Sequence, residues 1–173
     1  MFCLQRDRVM SREWDNLAEE VKDAIRSHQG DLPIKLSALA RDMDIELKAA
    51  TLGVGISGEI RPADGDPTRF VIRVNRHDAS RRQRFTVAHE IAHYLLHRDQ
   101  IGTGLRDDVL YRSKLSDSRE AEANRLAADI LMPAGLVKEW LDNARLLKVE
   151  DVVGYLADRF DVSEASMRIK LGL

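Results

Sequence analysis

The sequence predicts an α+β fold, a short run of strands framed by helices. Strand patterns are confined to residues 45–75, and helical periodicity stands on both sides of them. The pentapeptide HEIAH, His89 to His93, adds a third observation, because within a helical stretch two histidines four apart share a face.

Ser11 can cap a first helix that carries Trp14, Leu17, Val21, Ile25 and His28 on one face, ended by Gly30 and Pro33. Leu36, Leu39, Ala40 and Met43 form a shorter amphipathic turn. From Ile45 to Asn75, IELKAATL, VGISGEIR and RFVIRVN read as strands, with turn signals at Pro62, Asp64-Gly65 and Pro67. Helical spacing returns near Ser80, through Phe85, Ala88, His89, Ala92, His93 and Leu96. A polar loop with Gly102 and Gly104 follows from Arg98 to about Leu115. The next helix runs from about Asp117 to Met132 and stops at Pro133, and GLVKEWLDNA, VEDVVGYLADRF and SEASMRIKL supply the last short helices. The expected organisation is an N-terminal helical segment (1–32), a central core (33–146), and a C-terminal helix-turn-helix-like segment (147–173) packed on that core.

A chain of 173 residues with 44% hydrophobic and 32% charged residues is an ordinary globular composition. Its 27 basic and 29 acidic residues leave a net charge of −2, so no global basic field holds nucleic acid. The tail's second helix offers only Arg168 and Lys170 as cations, thin for phosphate contacts, so nucleic acid is not the expected partner. Cys3 is the single cysteine, which excludes an intramolecular disulfide and fits a reducing compartment. Charges interrupt the opening segment from Arg6 onward, and no run approaches the ~18 apolar residues of a membrane span. The cytoplasm is the expected location, with no membrane partner.

HEIAH carries the chemistry. Both imidazoles can point at one ion, and neutral imidazole is a good zinc ligand. Glu90, one step round the helix, can reach a metal-activated water as general base without ligating the metal. Chance alone would give this pattern in roughly one such chain in two hundred. The apolar flanks of RFTVAHEIAHYLLH argue further against a solvated surface helix.

A catalytic zinc takes three protein ligands, and three residues compete for the third place. His97 continues the series, but three such residues on a straight helix cannot converge on one tetrahedral ion. Glu120 extends the apolar stripe of Ala127, Ala128 and Leu131 together with Asn124. Glu122 falls with Arg125 and Asp129 on what reads as the solvent side. This facing argument favours Glu120 and keeps Glu122 in reserve.

The blocks RRQRFTVAHEIAHYLLH and EAEANRLAADILMP resemble the RQRFTxAHExGH and ExEANxFAAxLLMP patterns of the ImmA/IrrE metallopeptidases. The resemblance covers roughly Pro33 to Pro133. Ala92 stands where glycine is common in that family, and Leu126 where phenylalanine is. It implies a zincin-like core: a small twisted sheet, the HExxH helix beneath it, and a second helix bearing a glutamate ligand. It also implies one Zn2+ held by His89, His93 and Glu120, with Glu90 as the base of an endopeptidase. The implied substrate is a helix-turn-helix repressor or its partner, so that proteolysis regulates transcription. The alternatives are a non-catalytic DNA- or protein-binding regulator that retains the fold, and a toxin-like hydrolase paired with an antitoxin repressor.

Weaker signals remain. Gly53, Gly55 and Gly58 spell GxGxxG, but strand and turn follow where a nucleotide site needs a helix, so a nucleotide site is rejected. RFVIRVN reads equally as a sheet edge that accepts a peptide strand and as a core strand. His77, Tyr94 and Tyr111 are candidate oxyanion donors. Arg81, Arg82 and Arg84 read as a solvated cluster able to meet an acidic partner.

Overall fold

The computed structural model describes residues 10–101 and 114–173, the side chains of 114–116 excepted. Cys3, Gly102, Gly104 and Tyr111 lie outside the described residues. Helices α1 (Arg12–Asp15), α2 (Glu19–Ser27) and α3 (Leu36–Asp42) precede strands β1 (Ile45–Ala50), β2 (Gly58–Ala63) and β3 (Asp66–Asn75). Among the described residues five α-helices follow, α4 (Ser80–His97), α5 (Lys114–Leu131), α6 (Ala134–Leu146), α7 (Val152–Phe160) and α8 (Glu164–Leu171), with a single 3-10 turn (Arg98–Gln100) after α4. The architecture is α+β, as the patterning predicts.

The first expected helix is two helices. Ser11 caps α1, its hydroxyl accepting from Trp14 N–H at 3.2 Å. Asn16 ends that helix after one turn, and Ala18 is extended before α2 begins. Trp14 and Ile25 are buried, while Leu17, Val21 and His28 are only partly so. Glu13, inside α1, pairs with Arg125 of α5 through two hydrogen bonds of 2.7 and 3.0 Å. That tertiary clasp orients α1 separately from α2, which local periodicity cannot anticipate.

The sheet is mixed, in the order β1-β3-β2. β1 runs parallel to β3 with Ile45 beside Phe70 and Leu47 beside Ile72. β2 is antiparallel, with Ile60 beside Ile72 and Glu59 beside Arg73. β3 is therefore the central strand, and reading RFVIRVN as a peptide-accepting edge is overturned; β2 is an edge instead. Pro62 and Pro67, expected in turns, lie in strands, and the turn itself is Asp64-Gly65 with Gly65 at φ +82°. Proline at 62 is tolerated because β2 is an edge strand with an irregularity between Pro62 and Ala63.

Alternation divides the sheet into two faces. Phe70, Ile72 and Val74 are buried, and Phe70 meets Tyr94 of α4 edge-on at 5.1 Å. The other face bears charge pairs such as Arg73–Glu59 at 2.7 Å. α4 therefore lies under the sheet. Its own Ala88 and Ala92 are fully buried, as are Ala123 and Ala127 of α5, and small side chains let the two helices pack closely.

At the C-terminus, α7 ends at Asp161 in the left-handed region (φ 51°), and Ser163 caps α8 by accepting from Ser166 N–H. Met167 and Leu171 of α8 are buried, and Lys170 pairs with buried Asp129 of α5 at 2.6 Å. One apolar cluster runs from Trp14 to Leu171. Among the described residues no helix is long and apolar enough to cross a membrane.

Candidate metal centre

His89 and His93, one turn apart on α4, bring their Nε2 atoms to 2.9 Å of each other. Glu120 reaches over from α5 with one carboxylate oxygen for each ring. Its Oε2 lies 3.1 Å from His89 Nε2 and its Oε1 3.2 Å from His93 Nε2. The three side chains form a group able to hold a metal ion. Ligands on a tetrahedral zinc with ~2.0–2.1 Å bonds stand about 3.4 Å apart, so the three atoms need to open only slightly.

The donor chemistry fits a cation. His89 Nδ1 lies 3.0 Å from Asn124 Oδ1, an acceptor, so Nδ1 carries the ring proton and Nε2 is bare. His93 Nδ1 lies 3.0 Å from His97 Nδ1, and its Nε2 likewise faces the shared point. Two bare ring nitrogens and a carboxylate facing one another repel unless positive charge sits between them. Without a metal a proton supplies it. Burial pulls the His89 pKa down, but the Glu120 bond and the charges of Glu90 and Glu120 outweigh this and the net shift is upward. Bonds from His89 and then His93 hold the Glu120 carboxyl well below its ordinary range.

Glu122, the reserve candidate, accepts from His97 Nε2 at 3.2 Å and takes no part in the triangle. Its stripe is not the solvent side that the sequence suggests. Asp129 is 2% exposed, accepting from Ser11 N–H at 2.7 Å, and Arg125 clasps Glu13. That stripe packs against α1 and α8, elements remote in sequence. His97 is the last residue of α4, and burial lowers its pKa against the opposing pull of Glu122.

Glu90 is 8% exposed, and burial raises its pKa against the opposing charges of His89 and His93. A Cβ on Gly58 of β2 would stand 3.4 Å from Glu90 Oε1, so this edge strand passes directly beside the carboxylate. Of the candidate oxyanion donors, Tyr94 is committed to Phe70 and to the Arg98 guanidinium, 4.9 Å from its ring centre. His77 bonds Thr51 Oγ1 at 3.3 Å, before the N-terminus of α4, about 13 Å of helix from His89. Tyr111 lies outside the described residues.

The arginines at the start of α4 are not a free solvated cluster. Arg81 pairs with Asp158 at 2.6 Å, Arg84 with Asp161 at 3.1 Å, and Arg82 bonds Ser57. For Arg81 and Arg84 the acidic partner is the end of α7. The glycine triplet is a turn: Ile56 N–H donates to Gly53 O across Gly55 (φ +83°), and β2 follows with no helix to receive a phosphate.

The groups behind the histidines, Asn124 and Glu122, were not assigned that place from the sequence. Asn124 was legible as a neighbour of Glu120, since residues four apart share a helix face, and a ring N–H needs an acceptor.

Known proteins resemble the chain over this same region. Residues 44–171 match the peptidase family described as IrrE N-terminal-like domain. The radiation response metalloprotease IrrE of Deinococcus deserti is 38% identical over 101 residues, covering 58% of this chain and 35% of that protein. Its counterpart from Deinococcus radiodurans is 36% identical over 101 residues, covering 58% of this chain and 30% of that protein. The match thus spans about a third of each relative's length. A solved Mycobacterium tuberculosis transcriptional regulator aligns with a TM-score of 0.53 at 20% identity, over 96% of this chain and 51% of the other, a likeness of fold. With its matched span holding both histidines, Glu90 and Glu120, the chain belongs to the ImmA/IrrE family of metallopeptidases.

Proposed function

We propose that the protein is a zinc endopeptidase with a zincin-like core, in which His89, His93 and Glu120 are the metal ligands and Glu90 is the general base. One observation carries the reading: two bare Nε2 atoms and a carboxylate converge at 2.9–3.2 Å beside a buried glutamate that bonds none of them. Zn2+ held there would supply Lewis acidity, lowering the pKa of a water and polarising the scissile carbonyl.

The chain's own groups do the rest. Glu90 is excluded from the ligand triangle by its place on the helix, so its carboxylate is free to take a proton from water and return it to the leaving amine. Burial favours its protonated form, which makes it a stronger base than an exposed glutamate. Fixed ligands and a fixed base leave little reorganisation at the moment of reaction.

The substrate is an extended peptide lying along β2. Asn75 N–H donates to Ser57 O at 2.7 Å, so residues 57, 59 and 61 occupy the bonded pairs of the ladder. By alternation, Gly58, Ile60 and Pro62 turn their backbone groups outward, away from β3. A peptide added there as a further strand would pass beside Glu90. The protein substrate is a helix-turn-helix repressor or its partner, met in the cytoplasm, a class implied by likeness to the family. Residues 33–146 are the catalytic unit, with the flanking helical segments supporting it.

The test is Glu90→Gln in the full chain. Metal analysis should find one zinc per chain in both proteins, while cleavage of a helix-turn-helix repressor that the wild-type protein cuts disappears in the variant. Failure of the wild-type protein, never exposed to chelator, to take up any transition metal sinks the reading. Undiminished cleavage by Glu90→Gln removes Glu90 as the base.

A further inference from the structure

Behind the metal centre runs a line of hydrogen bonds that the proposed reaction does not use. His93 Nδ1 lies 3.0 Å from His97 Nδ1, and His97 Nε2 lies 3.2 Å from Glu122 Oε2. Ser118 Oγ donates to the other Glu122 oxygen at 3.2 Å. The direction of this line follows from what each atom can do. An ionised carboxylate only accepts, so His97 Nε2 carries the proton. A neutral ring has one proton, so His97 Nδ1 is bare and accepts. His93 Nδ1 must then carry its proton, and His93 Nε2 is left bare, aimed at His89 and Glu120.

We propose that His97 and Glu122 are positioning residues of the metal centre: acting in series, they hold the His93 ring in the tautomer and orientation that presents Nε2 to the ion. This rests on His89, His93 and Glu120 being the ligands. The two histidines are held differently. His89 has a single direct acceptor, Asn124, whereas His93 is held through an intermediary whose own orientation Glu122 sets. The final acceptors, Asn124 for His89 and Glu122 for His93, both come from α5, the helix that also carries Glu120, so one rod delivers a ligand and orients the other two.

Two other roles for His97 fit less well. As a helix-terminal residue it would be satisfied by Glu122 alone, leaving no reason for Nδ1 to face a ligand ring. As a further ligand it would need a nitrogen at the shared point. Its Nδ1 instead meets the reverse edge of the His93 ring, and its Nε2 is engaged by Glu122. The His97 side chain is only 10% exposed, so water competes weakly for these bonds.

The experiment measures Zn2+ affinity of the full chain by competition with a chromophoric chelator. His97→Ala and Glu122→Ala should each weaken binding about 10–100-fold, the usual effect of removing an outer-sphere partner. Because Glu122 acts only through His97, the double variant should bind no more weakly than His97→Ala. His97→Gln keeps an acceptor for His93 and a donor for Glu122, and should return to within a few-fold of wild type. With Co2+ in place of zinc, His97→Ala should keep the wild-type visible spectrum, whereas Glu120→Ala should change it. Unchanged zinc affinity in His97→Ala, or additive losses in the double variant, overturns the proposal. So does a His97→Ala cobalt spectrum altered as in Glu120→Ala, which would make His97 a ligand. If His97→Ala melts early, His97→Gln decides: weak zinc binding in a variant with wild-type melting overturns the relay. A wild-type chain that binds no zinc is a separate result, which removes the metal centre itself.

Discussion

Gly58 of β2 and Glu90 of α4 are neighbours because residue 58 has no side chain. A Cβ there would collide with the Thr86 methyl, crowd Arg73 O at 3.1 Å, and touch Glu90 Oε1 at 3.4 Å. Thr86 is buried, so it cannot swing aside freely. The close approach of strand to helix is what brings the outward backbone of β2 beside the proposed base.

Gly58→Ala should therefore push β2 away from α4 at the level of Glu90. The expected cost is about 1–3 kcal/mol in urea unfolding, typical of an overpacked interior. Peptide cleavage should fall further than zinc content, because the proposed ligands sit on α4 and α5 and do not depend on β2. Thr86→Ser removes the obstructing methyl, and the double variant should recover a large part of both losses. No recovery would mean that the strand is held by something other than this contact.

The corrected sheet order moves the peptide-docking test to the edge strand. Ile60 pairs with Ile72, but alternation turns its N–H outward, as at Pro62, which has none to offer. Ile60→Pro should leave the ladder bonds of Glu59 and Arg61 in place, retain one zinc per chain, and reduce cleavage of an extended substrate. Proline at Ile72 or Val74 in the central strand should unfold the protein instead. Equal cleavage by Ile60→Pro and wild type would place the peptide elsewhere.

These residues also mark where the sequence was legible. α4 and its histidines were readable because the helix period is local and the ligand spacing is one turn. The approach of Glu120 to the histidines was readable because α5 has one apolar stripe with Glu120 at its margin. The rank of β3 in the sheet was not, since any apolar strand can be central or peripheral until its partners are known. The burial of Asp129 was hidden for the same reason: its partners, Ser11 N–H and Lys170, lie 118 and 41 positions away. The break between α1 and α2 follows from the Glu13–Arg125 clasp, again a contact between distant segments.

That clasp gives a pH dependence. The Arg125 hydrogen bond lowers the Glu13 pKa, more than burial raises it. A carboxyl depressed in the folded state stabilises fully above its unfolded pKa, and the contribution fades as pH falls through the folded value. Glu13→Gln should lose about 1–2 kcal/mol at neutral pH, less than a fully buried pair because Arg125 is half exposed. Below the ordinary carboxylate range the variant and wild type should converge in melting temperature. A gap that stays constant on acidification would show that Glu13 acts by packing rather than charge.

The Lys170–Asp129 pair should behave as a buried one. Their side chains are 11% and 3% exposed, and the ammonium lies 2.6 Å from Asp129 Oδ1. Removing Lys170 leaves a carboxylate in the interior with only Ser11 N–H to satisfy it. Lys170→Ala should cost about 3 kcal/mol, the lower end for breaking such a pair because one oxygen keeps its donor. Asp129→Ala/Lys170→Ala should cost less than the sum of the single changes, since no charge is then left unpaired. Salt should change these values little, because ions screen exposed charges and not this one. Zinc affinity per folded chain should be unaltered, as Asp129 lies more than two turns of α5 beyond Glu120. A marked loss of zinc in folded Lys170→Ala would instead mean that α8 sets the position of α5 at the metal centre.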